Sequence, residues 1–281
     1  MPSFTPLPLA LFTAASLGFA AHAMAAQDMP PVPSYISQQD VLRAGVRCDQ
    51  PPYGYQDNNG DFAGVEVEMS RQVAAWALGS RDKVAFTCVT AENRVPQLLG
   101  RKVDVLIATL GVTPERERVI AFTQPYRWGA SDVLVRKDSG IEKIADLEGK
   151  TLATLKGSVQ AKWFEERMPG VKTLRLNSAA DALQSFRQGR ADAYTHDAAT
   201  LVVVVTGNDD SLRLVEEPFQ ISDAAIGLRK GEDEWRTYLS AAVERMHEEK
   251  RFRPWIEQYV PEAIRGYYLS VFEQPKPEES H

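Results

Sequence analysis

Strand-like and helix-like segments alternate along this chain in two successive series, and this alternation limits the possible folds more than any other feature. The first series predicts strands at 41–48, 84–89 and 103–108 and helices at 64–78, 94–100 and 113–120. The second predicts strands at 151–155, 172–176 and 191–195 and helices at 158–167, 178–188 and 197–205. Because such series are typical of parallel βαβ units, we predict an α/β protein with two similar lobes.

Two extended segments are expected to connect these lobes. The segment 124–137 separates the two series, and the segment 224–230 precedes a helical run at 232–249. The first lobe is therefore predicted at 39–129, the second at 130–228, and a return to the first lobe at 229–265. Ligands of open α/β sheets bind beyond the carboxyl ends of the strands, so the cleft between the lobes is the predicted site.

Both ends of the chain indicate segments outside the lobes. Residues 7–21 are apolar, and two A-x-A patterns follow at 21–25, which predicts a cleaved signal peptide at 1–25 and export to the periplasm. The prolines that follow predict an extended linker at 26–38. A proline- and glutamate-rich end predicts a tail at 266–281, with disorder beyond Gln274.

Charge and residue spacing exclude several classes of function. The net charge is −6, and no stretch is dense in lysine and arginine, which argues against binding of nucleic acid or an anionic membrane. The four histidines and two cysteines lack metal-ligand spacing, and no glycine-rich phosphate loop is present. We therefore expect neither a metal nor a cofactor.

Cys48 and Cys88 each close a strand-like run, in a compartment that is expected to be oxidising. If the two strands are parallel neighbours, both sulfurs lie at the same sheet edge and can form a disulfide. Two free buried thiols are an equally good interpretation of the sequence.

The sequence Val-Thr-Pro-Glu-Arg at 112–116 predicts a helix start with an unusual charge. Thr113 can cap the helix and Pro114 suits its first position, so Arg116 falls among unpaired N–H groups at the positive end of the helix dipole. An arginine there is explained if it grips an anion together with the backbone donors. The alternative is a solvent-exposed Arg116 that leans against Glu115 or Glu117.

An ordered set of short motifs spans about 39–259, and with them the chain resembles the bacterial extracellular solute-binding proteins of family 3, the periplasmic receptors for polar amino acids. The motifs are Pro51-Pro52-Tyr53, Gly64-Val65-Glu66-Val67-Glu68, Asn93-Arg94-Val95-Pro96, Gly100-Arg101-Lys102-Val103-Asp104, Thr113-Pro114-Glu115-Arg116, Phe122-Thr123-Gln124-Pro125-Tyr126, Lys156-Gly157-Ser158 and Gly189-Arg190-Ala191-Asp192. The resemblance implies the two-lobed, type II (Venus-flytrap) periplasmic-binding-protein fold with two crossover hinge strands. It also implies a monomeric receptor that closes over one amino acid and delivers it to an inner-membrane ABC permease.

The resemblance also assigns candidate binding residues. Arg116 corresponds to the arginine that binds the α-carboxylate, aided by Thr109 and the backbone of Gly111, and Asp197 corresponds to the acceptor of the α-ammonium group. The turn at Ser158 and Val159 corresponds to the second-lobe carboxylate contact; many members have Ser or Thr where this chain has Val159, so its backbone N–H groups would have to donate. Tyr53 is placed against the ligand. Taken alone, Asp197 is better explained as a helix N-cap and Tyr53 as a core or turn aromatic.

Two further arginines bear on specificity. Arg47 ends the first strand at a position where receptors for acidic amino acids resemble this chain in having Lys or Arg, which suggests a ligand with a second carboxylate. Arg94 can complete the anion site, or it can pair with a surface acid such as Glu92. Glutamate or aspartate is therefore the expected ligand, with glutamine or another polar amino acid as the alternative.

Two other classes of function remain open at this stage. Cyclohexadienyl dehydratases resemble these receptors, and such an enzyme needs a general acid in the cleft, for which His196 and Glu66 are the nearest candidates. A module that presents its closed form to a membrane sensor would use the same closure as an importer receptor.

Overall fold

The computed structural model describes residues 29–207 and 209–277. The signal peptide predicted at 1–25 lies outside these residues. The described part of the predicted linker is not wholly extended, because Ser34–Ser37 forms helix α1 and Ile36 is buried in the core of the first lobe. Within the described ranges, no helix is both long enough and apolar enough to cross a bilayer.

The first lobe begins with the βα succession that the sequence predicts. Its elements are β1 (Leu42–Val46), β2 (Asp49–Gln50), β3 (Gly54–Gln56), β4 (Phe62–Ala63), α2 (Val65–Leu78), β5 (Val84–Cys88), α3 (Arg94–Leu99), β6 (Val105–Leu106) and α4 (Pro114–Glu117). Gly79 ends α2 with φ 80°, a left-handed conformation that glycine adopts without strain. The helix predicted at 113–120 is shorter than expected, because Ile120 already begins the next strand.

A long strand then leads into the second lobe, and another leads back. Strand β7 (Ile120–Arg136) enters, followed by β8 (Thr151–Leu155), α5 (Val159–Arg167), β9 (Lys172–Leu176), α6 (Ala179–Arg187), β10 (Ala193–Asp197), α7 (Ala198–Thr206) and β11 (Leu212–Leu214), and β12 (Phe219–Arg229) returns. Strands β7 and β12 pair antiparallel along most of their length. These two strands are the crossings that the sequence predicted, although β7 begins earlier than 124 and β12 earlier than 224.

One sheet runs through both lobes. Its strand order is β5-β1-β6-β12-β7-β10-β8-β9, with β11 also paired to β7. The pairs β1–β5, β1–β6, β8–β9 and β8–β10 are parallel, as βαβ units require. The carboxyl ends of β1 and β6 in one lobe and of β8 and β10 in the other therefore border the space between the lobes.

The end of the chain is folded against the first lobe rather than forming a tail from residue 266. After β12 come α8 (Asp233–Glu248), α9 (Phe252–Tyr259) and α10 (Arg265–Glu273), with a short 3₁₀ turn at Glu262–Ile264. Tyr268, Val271 and Phe272 of α10 lie in the main core of this lobe. Burial of these apolar side chains stabilises the packing of the helix against the lobe. Beyond Gln274, where disorder was predicted, Lys276 still forms an ion pair with Asp223 at 3.1 Å. Residues 278–281 lie outside the described ranges.

Candidate functional site

A narrow cleft with a cavity volume of about 50 Å³ lies between the lobes. It is lined by ends of β1 and β6, by the crossing strands and by the starts of α5 and α7. Eight of the nine residues that the sequence assigned to ligand binding line it: Arg47, Arg94, Thr109, Gly111, Arg116, Ser158, Val159 and Asp197.

Arg116 is held at a helix start, as the sequence predicted. Thr113 caps α4, since its side-chain oxygen accepts a hydrogen bond from the Arg116 N–H at 3.3 Å. The guanidinium then donates to the carbonyl oxygen of Gly111 at 2.7 Å and to that of Gly157, in the other lobe, at 3.2 Å. Glu115 instead pairs with Lys162, so the alternative of a surface pair between Arg116 and Glu115 is wrong. Burial lowers the pKa of Arg116 to about 10.

A buried carboxylate, that of Glu66 in the first turn of α2, lies behind the cleft. The N–H of Thr109, which has φ 48°, donates to both oxygens of Glu66 at 3.0 and 2.9 Å, and the Tyr126 hydroxyl donates at 2.6 Å. Burial raises the pKa of Glu66. The Thr109 hydroxyl bonds to the Ala108 carbonyl and the Gln50 side chain, so its hydrogen is already engaged within the protein.

Arg94 is a second buried cation in the cleft. It is 4% exposed and donates from Nη1 to the carbonyl oxygens of Ala108 at 2.6 Å and Thr109 at 3.2 Å, while its Nε is buried without a partner among the described residues. Burial, with the charges of Arg116 and Arg47, lowers the pKa of Arg94 well below its ordinary value. A surface pair with Glu92 is therefore not formed.

Arg47 has a different environment from the one expected. It lines the cleft and is 1% exposed, but its Nε and Nη2 both donate to Asp49 Oδ1, at 3.1 and 2.7 Å. Its charge is thus already matched within the first lobe. The expectation that Arg47 holds a second ligand carboxylate is not supported by this pairing, because Asp49 already matches its charge, although Nη1 of Arg47 has no acceptor among the described residues.

Asp197 begins α7 but does not cap it with its side chain. Oδ2 accepts hydrogen bonds from both terminal nitrogens of Arg127, at 3.2 and 3.3 Å, whereas Oδ1 is buried with no partner in the described part of the chain. The alternative of a side-chain helix cap is therefore wrong. A buried carboxylate oxygen beside a cleft is a suitable acceptor for an ammonium group.

Arg127 is a cleft residue that the sequence analysis missed. It lies on β7, is 5% exposed, and its guanidinium lies 4.3 Å from the ring centre of Tyr53. Tyr53 itself is fully buried and packs against Tyr268 and Phe272 of α10. Tyr53 does not line the cleft, so its assignment as a ligand contact is wrong, because Arg127 and the end of the chain cover its ring.

The start of α5 offers free backbone donors to the cleft. Ser158 caps α5 by accepting from the Ala161 N–H at 3.1 Å, and its own N–H donates to Leu155. The N–H of Val159, the first residue of α5, has no acceptor among the described residues. Of the two donors predicted here, only that of Val159 is therefore available to a ligand.

His196 lines the cleft as a neutral side chain. Its Nδ1 accepts a hydrogen bond from the Asp197 N–H at 2.8 Å, which places the ring proton on Nε2. Burial lowers the pKa of His196 to about 4. A histidine that is neutral at pH 7 is poorly suited to protonate a departing hydroxyl, as the dehydratase alternative requires.

Cys48 and Cys88 form a disulfide in the structure. Strands β1 and β5 are parallel neighbours, with Val46 opposite Cys88, so the two sulfurs meet at one sheet edge. The disulfide fixes the position of Cys48, and thereby of its two neighbours Arg47 and Asp49. In 29–207 and 209–277, no group of three His, Cys, Asp or Glu side chains is arranged to hold a metal ion.

Comparisons with known proteins agree with this architecture. The sequence profile of the bacterial extracellular solute-binding proteins, family 3, matches residues 42–262. The chain is 27% identical to the ABC transporter glutamine-binding protein of Bacillus subtilis, over 79% of this chain and 84% of that one. It is 26% identical to a glutamate-binding protein of Corynebacterium efficiens, over 78% of each. The solute receptor for L-cysteine of Neisseria gonorrhoeae has a similar structure, with a TM-score of 0.78 and 30% identity, covering 86% of this chain and 96% of that one.

Proposed function

The chain belongs to the bacterial extracellular solute-binding proteins of family 3, and we propose that it is a periplasmic receptor for one amino acid, delivered to an ABC importer. Relatives that are named as binding proteins of ABC transporters support this role. The proposal concerns how the cleft holds the ligand and which side chain the ligand has.

The observation that carries the proposal is the uneven matching of charge in the cleft. Among the residues that the structure describes, Arg94 and Arg116 have only carbonyl oxygens as acceptors, and in the other lobe Asp197 has one buried oxygen without a donor. Charged groups withdrawn from water are stable only when they are paired, so this cleft requires a ligand with both charges. An amino acid places its α-carboxylate at Arg116 and the Val159 N–H, and its α-ammonium group at Asp197.

We further propose that the ligand is acidic, glutamate or aspartate, with Arg94 rather than Arg47 as the partner of its second carboxylate. Four buried or nearly buried arginines, Arg47, Arg94, Arg116 and Arg127, face three carboxylates, Glu66, Asp49 and Asp197. A zwitterion leaves this excess positive charge unchanged, whereas an acidic amino acid removes it. The glutamate-binding relative supports this choice.

The pairing of Arg47 with Asp49 favours a second candidate, a receptor for an uncharged polar amino acid. If Arg47 is neutralised within the protein, Arg94 and Arg116 can share a single α-carboxylate. The glutamine-binding and cysteine-binding relatives support this alternative.

A thermal-shift screen of the mature protein against the twenty amino acids tests both candidates, because a tight ligand raises the melting temperature by mass action. Calorimetric titration of every hit then ranks the affinities. The acidic proposal requires glutamate or aspartate to bind at least about tenfold tighter than glutamine and cysteine. If none of the twenty amino acids binds, the receptor proposal itself fails.

A further inference from the structure

Asp49 joins the two lobes at one side of the cleft. It lies on β2 of the first lobe, and its Oδ2 accepts a hydrogen bond at 2.7 Å from the N–H of Ala179, the first residue of α6 in the second lobe. The carboxylate therefore lies at the positive end of the α6 dipole. Ser178 already caps α6 by accepting from the Asp181 N–H, so the helix does not need Asp49 for its own formation.

Arg47 orients Asp49 for this contact. Nε and Nη2 of Arg47 both donate to Oδ1, which leaves Oδ2 to face α6. The side chain of Arg47 is 2% exposed and that of Asp49 is 22% exposed, so solvent screens the pair less than a surface ion pair. Next to it, the Gln50 side chain donates to the hydroxyl of Thr200 in the second lobe at 3.1 Å.

The other side of the cleft is closed by weaker contacts. The ion pair between Glu115 and Lys162 measures 2.5 Å, but both side chains are about half exposed. Gly157 approaches Ala91 of the first lobe so closely that a Cβ would lie 2.9 Å from its carbonyl oxygen, which leaves no space for a side chain there. Arg116 also donates to the Gly157 carbonyl oxygen across this side at 3.2 Å, but that bond is exposed, whereas the bond from the Ala179 N–H to Asp49 is shorter, at 2.7 Å, and partly buried.

We propose that Asp49, oriented by Arg47, is an interlobe latch that stabilises the closed form of the receptor whichever amino acid is bound. The inference rests on the proposed function for its effect on affinity, since the latch makes no contact that distinguishes one ligand from another. A residue that favours the closed state by a fixed factor changes the affinity for every ligand by the same factor. Arg47 is then a positioning residue for closure rather than a specificity residue.

Two variants test the latch, and each changes one partner of the hydrogen bond between Asp49 and the Ala179 N–H. Asp49→Asn removes the carboxylate charge. Ala179→Pro removes only the N–H donor, at the first helical position where proline is tolerated, and Ser178 (φ −120°, ψ 154°) has the conformation that precedes proline. Asp40→Asn is the matched control, because Asp40 is 97% exposed and pairs only with Lys83 in its own lobe.

The affinities for L-glutamate, L-glutamine and L-cysteine are measured by calorimetry, and the radius of gyration of each ligand-free protein by small-angle X-ray scattering. Asp49→Asn and Ala179→Pro should each weaken every measurable affinity by the same factor, roughly tenfold, and increase the ligand-free radius of gyration. Asp40→Asn should change neither quantity.

Unchanged affinities with an unchanged radius of gyration in both latch variants would overturn the proposal, as would a loss confined to one ligand. If none of the three amino acids binds the wild-type protein, the receptor proposal fails for these ligands. The radius of gyration of the ligand-free variants still decides the latch in that case.

Discussion

Two pairs of arginines border the same cleft, and they differ in what neutralises them. Arg47 and Arg127 each donate to a carboxylate of the protein, Asp49 and Asp197 respectively. Arg94 and Arg116 donate, within the described part of the chain, only to carbonyl oxygens of the backbone. Arg94 is as deeply buried as the two paired arginines, so burial does not separate the groups.

The difference teaches that the role of an arginine in a binding cleft depends on the group that neutralises its charge. Its position in the cleft does not by itself predict that role. A paired guanidinium has already recovered the free energy lost on leaving water, and it then positions its partner. A guanidinium matched only to carbonyl dipoles keeps a full positive charge that an anionic ligand can neutralise. Arg94 and Arg116 are therefore expected to respond to the ligand, and Arg47 and Arg127 to the conformation.

Removal of Arg116 is expected to give the largest effect. Arg116→Ala should cost about 3 to 5 kcal/mol of binding free energy for every amino acid, because it leaves the buried α-carboxylate without a cation. Calorimetric titration measures the loss. Arg118→Ala, two residues further on and exposed, is the matched control and should bind normally. Tight binding by Arg116→Ala would remove it from the site.

Substitution of Arg94 should change the affinities for glutamate and glutamine unequally, whereas substitution of Arg47 should change both affinities equally. Arg94→Gln should weaken glutamate by about 1.5 to 3 kcal/mol more than glutamine, because it removes a charged hydrogen bond to the second carboxylate. Arg47→Gln should weaken both ligands equally, because Arg47 binds only Asp49 among the described residues. The ratio of the two affinities is the measurement, and an equal loss in Arg94→Gln would contradict the acidic-ligand proposal.

A change of pH tests the burial of His196, which lines the cleft on the same side as the paired arginines. The buried His196 has a pKa of about 4 in the folded protein, against an ordinary value of about 6.5, so the unfolded chain binds the proton first as the pH falls. Stability from this group is therefore present above pH 6.5 and is lost as the pH falls toward 4. Between pH 7 and pH 5 the loss should be about 2 kcal/mol.

The measurement is urea denaturation of the wild type and His196→Gln at both pH values. Asp132, whose pKa burial raises to about 6, acts in the opposite direction, so the difference between the two proteins is the informative quantity. If both proteins respond equally to pH, His196 is not the group responsible.

The smallest change in amino acid affinity is expected for a variant at the edge of the cleft. Glu115→Gln removes the carboxylate that pairs with Lys162, and the pKa of Glu115 is lowered to about 2 by that pair. Because both side chains are about half exposed, the amino acid affinity should change by less than about twofold. A loss as large as that of Asp49→Asn would mean that closure depends equally on both sides of the cleft.

Local sequence signals predicted the parts of the site that depend on neighbouring residues. The cap by Thr113, the first position of Pro114 and the placement of Arg116 follow from a few consecutive residues. The strand and helix order followed in the same way from hydrophobic periodicity. These features involve short-range geometry, which the sequence contains directly.

The contacts missed by sequence analysis join residues far apart in the chain. Arg127 was treated as part of a crossing strand, and its partner Asp197 comes from β10. Tyr53 was assigned to the ligand by the family resemblance alone, and α10, which packs against its ring, had been assigned to a tail. The pairing of Arg47 with Asp49 had a usable signal, since residues two apart in an extended segment lie on the same face.

The crossing strands also determine when each of the two lobes can be completed as the chain is made. Strand β12 lies between β6 and β7 in the sheet, yet it is made after the whole of the second lobe. The β6 edge of the first lobe therefore remains open until residues 219–229 emerge, whereas the strands β8 to β11 arrive together. Open sheet edges are where incomplete chains associate wrongly, so the first-made half of this protein is its most vulnerable part until the chain is complete.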